Sequence, residues 1–215
     1  FDLPDPQLWS PAQPRLYRAL ATLYPGAVAP GALRLPAVAD QRQAPLGMRW
    51  FSFSADSGFS LNGRRLKIQG VNLHQDFLNR GWAVDSAHKL RDLTLVKEMG
   101  ANALRLAHYP HHPYTLELAD RMGLLVWAEI PVVNTVGGPG YARRALAMLD
   151  EMIERDRAHP SIILWGVGNE YYRAFFPPAD VKAAYSLTQE LAARARALDP
   201  TRPTVQAQND LVAED

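Results

Sequence analysis

Asn169 and Glu170 close an apolar run, Ile162-Ile163-Leu164-Trp165-Gly166-Val167-Gly168. The run lacks a helical period and reads as a strand covered on both faces, as in parallel sheets. A carboxylate in such a place is costly to desolvate unless it has a partner or a task. Folds with parallel sheets put their chemistry at the carboxyl ends of strands. Proton transfer by Glu170 is therefore the first chemistry to consider, ahead of a helix cap or a structural pair with an arginine. Arg105 lies in a second apolar run, Ala103-Leu104-Arg105-Leu106-Ala107-His108, and reads equally as a functional cation or a structural ion-pair partner. His74, His108, His111 and His112 invite a metal reading. The last three follow a strand around Pro110 and Pro113 and lack the i, i+4 spacing of a helical zinc site, so neither metal nor cofactor is expected. His159, before Pro160, reads as structural. Trp82, Trp127, Trp165, Tyr109, Tyr171 and Tyr172 fall near strand ends, and most suit an ordinary core. Flat apolar faces beside polar groups also suit sugar rings.

These residues need elements to hold them. From Lys67 onward the chain alternates strand and helix. The strands expected are Lys67 to His74, Ala101 to His108, Leu124 to Pro131, Ile162 to Glu170 and Thr204 to Gln208. Helical stripes separate them: Leu90, Leu93, Val96 and Met99; a segment from Pro113 to Gly123; Leu146, Leu149, Met152 and Ile153; and Val181, Tyr185, Thr188, Leu191, Ala195 and Leu198. Repeated βα units demand parallel strands with helices outside. Four successive strands deliver a polar group at or near the carboxyl end: Asn72 and His74, Arg105, Glu129, and Glu170. A closed barrel converges such groups on one mouth, and no glycine-rich phosphate turn supports a nucleotide fold. The reading is an incomplete (β/α)8 barrel of about five strands over 67–215.

The first 66 residues differ. Proline is dense, and short strands are expected at Leu16 to Leu23, Arg49 to Ser54 and Phe59-Ser60-Leu61, with Ala27 to Ala44 a loop or a poorly paired strand. Asn62-Gly63 before Arg65-Leu66-Lys67-Ile68 is a two-residue hairpin signal, because both residues accept positive φ. This segment reads as part of a β-sandwich. A net charge of +1 gives no electrostatic case for nucleic acid or an anionic membrane, and no membrane-spanning run is present. A soluble protein is expected, cytoplasmic or secreted, since the absence of cysteine says little about compartment. The opening Phe1-Asp2-Leu3-Pro4, without Met, reads as a piece of a longer protein.

Four blocks carry a resemblance. Gly70-Val71-Asn72-Leu73-His74-Gln75-Asp76, the stretch from Gly100 to Pro110, the stretch from Asp120 to Glu129 and the stretch from Arg155 to Glu170 resemble glycoside hydrolase family 2, nearest its β-galactosidase branch. Leu8-Trp9-Ser10-Pro11 and Phe59 to Lys67 resemble the immunoglobulin-like domain preceding that family's barrel, which assigns 1–66 to part of such a domain. The resemblance implies a retaining β-glycosidase acting on a carbohydrate, most nearly a β-galactoside. Glu170 would be the acid/base, with a raised pKa, and Asn169 would bond the sugar 2-hydroxyl. Arg105 would support the nucleophilic carboxylate, and His74 and His108 would line the substrate site.

Two departures accompany it. The family's nucleophilic Glu lies on the seventh strand, so this chain alone is expected to be inactive; Glu129 matches a different family position. Val132-Val133-Asn134-Thr135 stands where metal-dependent β-galactosidases carry acidic and His ligands, which argues against magnesium. The family's amino-terminal jelly-roll domain is also missing. β-Glucuronidase and β-mannosidase are the enzymatic alternatives. A non-catalytic carbohydrate-binding protein and a purely structural barrel piece are those of another class. An open barrel edge is expected to promote self-association.

Overall fold

A computed structural model describes residues 3–28, 30–32, 36–134, 136–138, 140–170 and 178–208. Tyr171, Tyr172 and Thr135 lie outside them. Five strands form one parallel sheet: β6 (Gly70–Leu73), β7 (Ala103–Leu106), β8 (Leu125–Glu129), β9 (Ile162–Asn169) and β10 (Thr204–Ala207). They are ordered β10-β9-β8-β7-β6, without the reversal of strand order that marks a doubly wound sheet. Helices α1 (Ser86–Glu98), α2 (Pro113–Met122), α3 (Tyr141–Asp156) and α4 (Pro178–Leu198) connect successive strands. The partial barrel read from the strand ends is what forms.

Side chains sort by strand alternation. Leu104 and Leu106, Val126 and Ala128, and Trp165 and Val167 join Leu93, Leu116, Leu149, Met152 and Leu191 of the helices in the main core. That leaves Ala103 and Arg105, and Leu125, Trp127 and Glu129, on the opposite face. Local signals set the helix ends. The Asp85 carboxylate accepts from the His88 N–H to start α1, Pro113 occupies the first turn of α2, and Gly123 ends it with φ of 68°.

The first 66 residues contribute two small antiparallel sheets. In one, β3 (Phe51–Ser54), β4 (Gly58–Leu61) and β5 (Arg64–Arg65) are joined in order. Asn62 and Gly63 turn the β4–β5 hairpin at φ of 52° and 76°, as their types require. Phe59 and Leu61 of β4 pack with Trp9 against Ala103, Leu125 and Ile163, at or beside the amino-terminal ends of β7, β8 and β9. This sheet therefore floors the barrel. Two arginines fasten the same end. Arg49, expected within a strand, instead donates to the Pro160 and Ile162 carbonyls, and Arg202 donates to those of Arg157, His159 and Ile162. His159 is structural as read: its Nδ1 lies 2.6 Å from the fully buried Asp120 carboxylate, which also accepts from the Ser161 N–H.

One local expectation is corrected. The stretch expected to be a loop or a poorly paired strand ends in a strand, β2 (Asp40–Leu46), which is well paired, residue for residue, with β1 (Tyr17–Leu23). Its residues are almost all exposed, so alternation carried no signal, and Pro45 is tolerated because an edge strand does not need every N–H in a ladder.

Candidate active site

The parallel register brings three strand ends into line. Asn72, Arg105 and Trp127 are successive partners across β6, β7 and β8. Arg105 thus reaches Glu129, two residues further along the same face of β8. Its Nε donates to one carboxylate oxygen at 3.0 Å and its Nη2 to the other at 3.1 Å, the two-pronged geometry that guanidinium and carboxylate share. The Glu129 side chain is 1% exposed and that of Arg105 13%, so both charges are held in a desolvated place that only mutual pairing makes tolerable. The guanidinium also lies over the Trp127 ring at 4.4 Å. His108, just beyond β7, sets Nδ1 at 2.6 Å from Glu129 Oε1.

The cluster extends to β9. Arg105 Nη2 donates to Asn169 Oδ1 at 2.6 Å. That bond fixes the buried Asn169 amide with its NH2 as the remaining donor end. Val132 and Asn134 hold the Asn169 backbone on both sides, its N–H donating to Val132 and its carbonyl accepting from Asn134. Glu170 follows, half-buried, with φ of 50° and its N–H donating to the Ala207 carbonyl of β10. This left-handed turn redirects the chain at the end of β9. His74, exposed after β6, packs edge-on to His108 with ring centroids 5.2 Å apart and has Nδ1 3.1 Å from the Tyr109 hydroxyl.

Arg105, His108 and Asn169 are bonded together, His74 touches the group through His108, and Glu170 adjoins it along the chain. The centre of the cluster is Glu129, which reading the sequence left without a role. The signal was present: like Glu170, it is a carboxylate ending an apolar strand. Gly166 was missed as well. A Cβ there would stand 2.2 Å from Glu129 Cβ and 2.4 Å from Trp127 Nε1, so only glycine lets β9 lie beside these side chains. His111 is buried away from the cluster. Its ring stacks on Tyr109, its Nε2 lies 3.2 Å from the Ala107 carbonyl, and burial lowers its pKa to about 4.

Comparison with known proteins places the chain. A family model described as glycosyl hydrolases family 2, TIM barrel domain, matches residues 54–214. The chain is 39% identical over 181 residues to a β-glucuronidase of Bacteroides fragilis, covering 79% of the chain and 25% of that protein. It is 35% identical over 205 residues to a β-galactosidase of Thermoanaerobacterium thermosulfurigenes, covering 94% and 26% respectively. The apo structure of Bacteroides uniformis β-glucuronidase 3 superposes with a TM-score of 0.83 at 38% identity, over 95% of this chain and 25% of that one. The chain spans about a quarter of the length of the curated relatives it matches. With most of its length matched by the family model and its strand ends carrying the cluster described above, the chain belongs to glycosyl hydrolases family 2.

Proposed function

We propose that the protein containing this chain is a retaining β-glycosidase, with β-glucuronides as its substrates. The observation that carries the reading is the Arg105–Glu129–His108–Asn169 cluster at the mouth of the barrel, with Glu170 next in the chain. In this reading Glu170 protonates the leaving glycosidic oxygen while a second carboxylate, supplied outside these 215 residues, captures the sugar. Glu170 then takes a proton from the incoming water. The Asn169 amide, oriented by Arg105, donates to the sugar 2-hydroxyl, and His74 and His108 line the same subsite. Arg105, already holding Glu129, also lends its positive charge to the second carboxylate.

The glucuronide preference rests on names: relatives are called β-glucuronidase more often than β-galactosidase. A β-galactosidase reading is the second, favoured by relatives of that name and by the Trp127-Ala128-Glu129-Ile130-Pro131 stretch. With the family goes the domain division: 1–66 as part of an immunoglobulin-like module and 67–215 as the first part of the barrel. Assay of the full-length protein on matched aryl β-glucuronide, β-galactoside and β-mannoside tests the substrate, and turnover of none of them refutes the reading. Glu170→Gln should lower kcat/KM by about 10²–10⁴ on substrates whose leaving group needs the proton, and far less on dinitrophenyl glycosides. Equal losses on both would remove Glu170 from the acid role.

A further inference from the structure

The loop between β6 and α1, residues 74–85, places large apolar side chains in solvent beside the mouth. Leu78 is 81% exposed and Trp82 61%. The loop is nevertheless well fixed. Phe77 and Gly81 pair through both backbone N–H groups, the Val84 N–H donates to the Trp82 carbonyl, and Asp85 holds both Arg80 and His88. The indole is therefore presented at a set height.

One side of Trp82 rests on Tyr109, with centroids 4.4 Å apart. The Tyr109 hydroxyl contacts His74, which packs on His108, which bonds Glu129. Aromatic rings thus run without a break from solvent to the buried carboxylate. The Gln75 side chain, accepting from the His112 N–H, ties the two loops that carry the rings. In the glycosidase reading, a leaving group extending outward past His74 and His108 would meet the apolar side of this run.

We propose that Trp82, backed by Tyr109, is a stacking platform for the leaving group of the substrate, and that it selects groups carrying a ring. The ligand class is a glycoside whose aglycone has a flat apolar face, aryl or pyranose, because the indole offers area without a matching set of hydrogen bonds. The inference rests on the glycosidase reading for the position of the sugar, and its test does not need turnover.

The indole N–H resonance of Trp82 is identified in the full-length protein as the one lost in Trp82→Phe. Phenyl β-glucuronide, methyl β-glucuronide and a β-linked glucuronyl disaccharide are titrated separately into the full-length protein carrying an inactivating Glu170→Gln substitution. A Trp82 shift that saturates with the phenyl glycoside and is absent with the methyl glycoside is expected. A shift with the disaccharide assigns a sugar ring to the platform, and its absence assigns an aryl ring. No shift at Trp82 with any ligand, or equal shifts with phenyl and methyl glycosides, overturns the proposal. In the active protein, Trp82→Ala should raise KM for the phenyl glycoside about five- to tenfold and leave the methyl glycoside within about twofold, as loss of one ring contact implies. A protein that binds phenyl glycoside at Trp82 but hydrolyses nothing would refute the glycosidase reading and leave the platform standing.

Discussion

Arg105 and Glu129 face each other across adjacent strands with two hydrogen bonds of 3.0 and 3.1 Å, and the carboxylate is 1% exposed. Such a pair costs more to break than to replace. Removing one partner strands the other charge in a desolvated place, whereas removing both does not. Arg105→Met is expected to cost about 3 kcal/mol in urea unfolding, with His108 giving Glu129 partial relief. Arg105→Met with Glu129→Leu should cost less than the sum of the single changes. Additivity of the two would show that the pair is not energetically coupled.

Gly166 keeps that pair in place. Gly166→Ala sets a methyl group 2.2 Å from Glu129 Cβ and 3.0 Å from Glu129 Cα, and backbone cannot swing aside as a flexible side-chain end can. We expect about 1–3 kcal/mol of destabilisation, the usual range for overpacking. The His108 ring loses its contact with Glu129 once that carboxylate is displaced, and unchanged His108 ring chemical shifts by NMR would show that β8 absorbs the methyl group elsewhere.

His111 makes stability pH-dependent. Burial lowers its pKa from 6.5 to about 4, so the folded state refuses a proton that the unfolded state accepts. Above pH 6.5 both states are neutral and the group contributes no slope. As pH falls from 6.5 towards 4, stability drops by up to about 3 kcal/mol and then levels. His111→Gln should flatten this limb of the curve. Carboxylates with lowered pKa, such as Asp85 at about 2, act at lower pH and leave the window clear. A slope unchanged in His111→Gln would assign the effect to another group.

Strands β6 and β10 end the sheet order, and each pairs with one neighbour among the described residues. Backbone N–H and C=O groups left open on a sheet edge favour pairing with another chain. We expect the isolated 215-residue chain to associate as its concentration rises, measured by sedimentation velocity. A monomer at all concentrations would show that other residues cover both edges.

The sequence by itself determined the local plan. Strand and helix alternation, the Asn62-Gly63 turn and the Pro113 and Gly123 boundaries depend on neighbours a few residues apart, and they appear in the structure close to where the pattern places them. Strand β2 reads as either a loop or a poorly paired strand because an exposed strand has no apolar rhythm. Arg105, Glu129 and Glu170 stand out as polar residues on or ending apolar strands, whereas the roles of Asn169, His74 and His108 come from the resemblance to a family. Only tertiary structure decided their partners. Which carboxylate meets Arg105 depends on the register between β7 and β8, whose pairing residues lie more than twenty positions apart. The value of a glycine at 166 likewise depends on side chains from another strand. Periodicity follows from one segment's own geometry, whereas pairing is settled by the closure of the sheet, which no single segment contains.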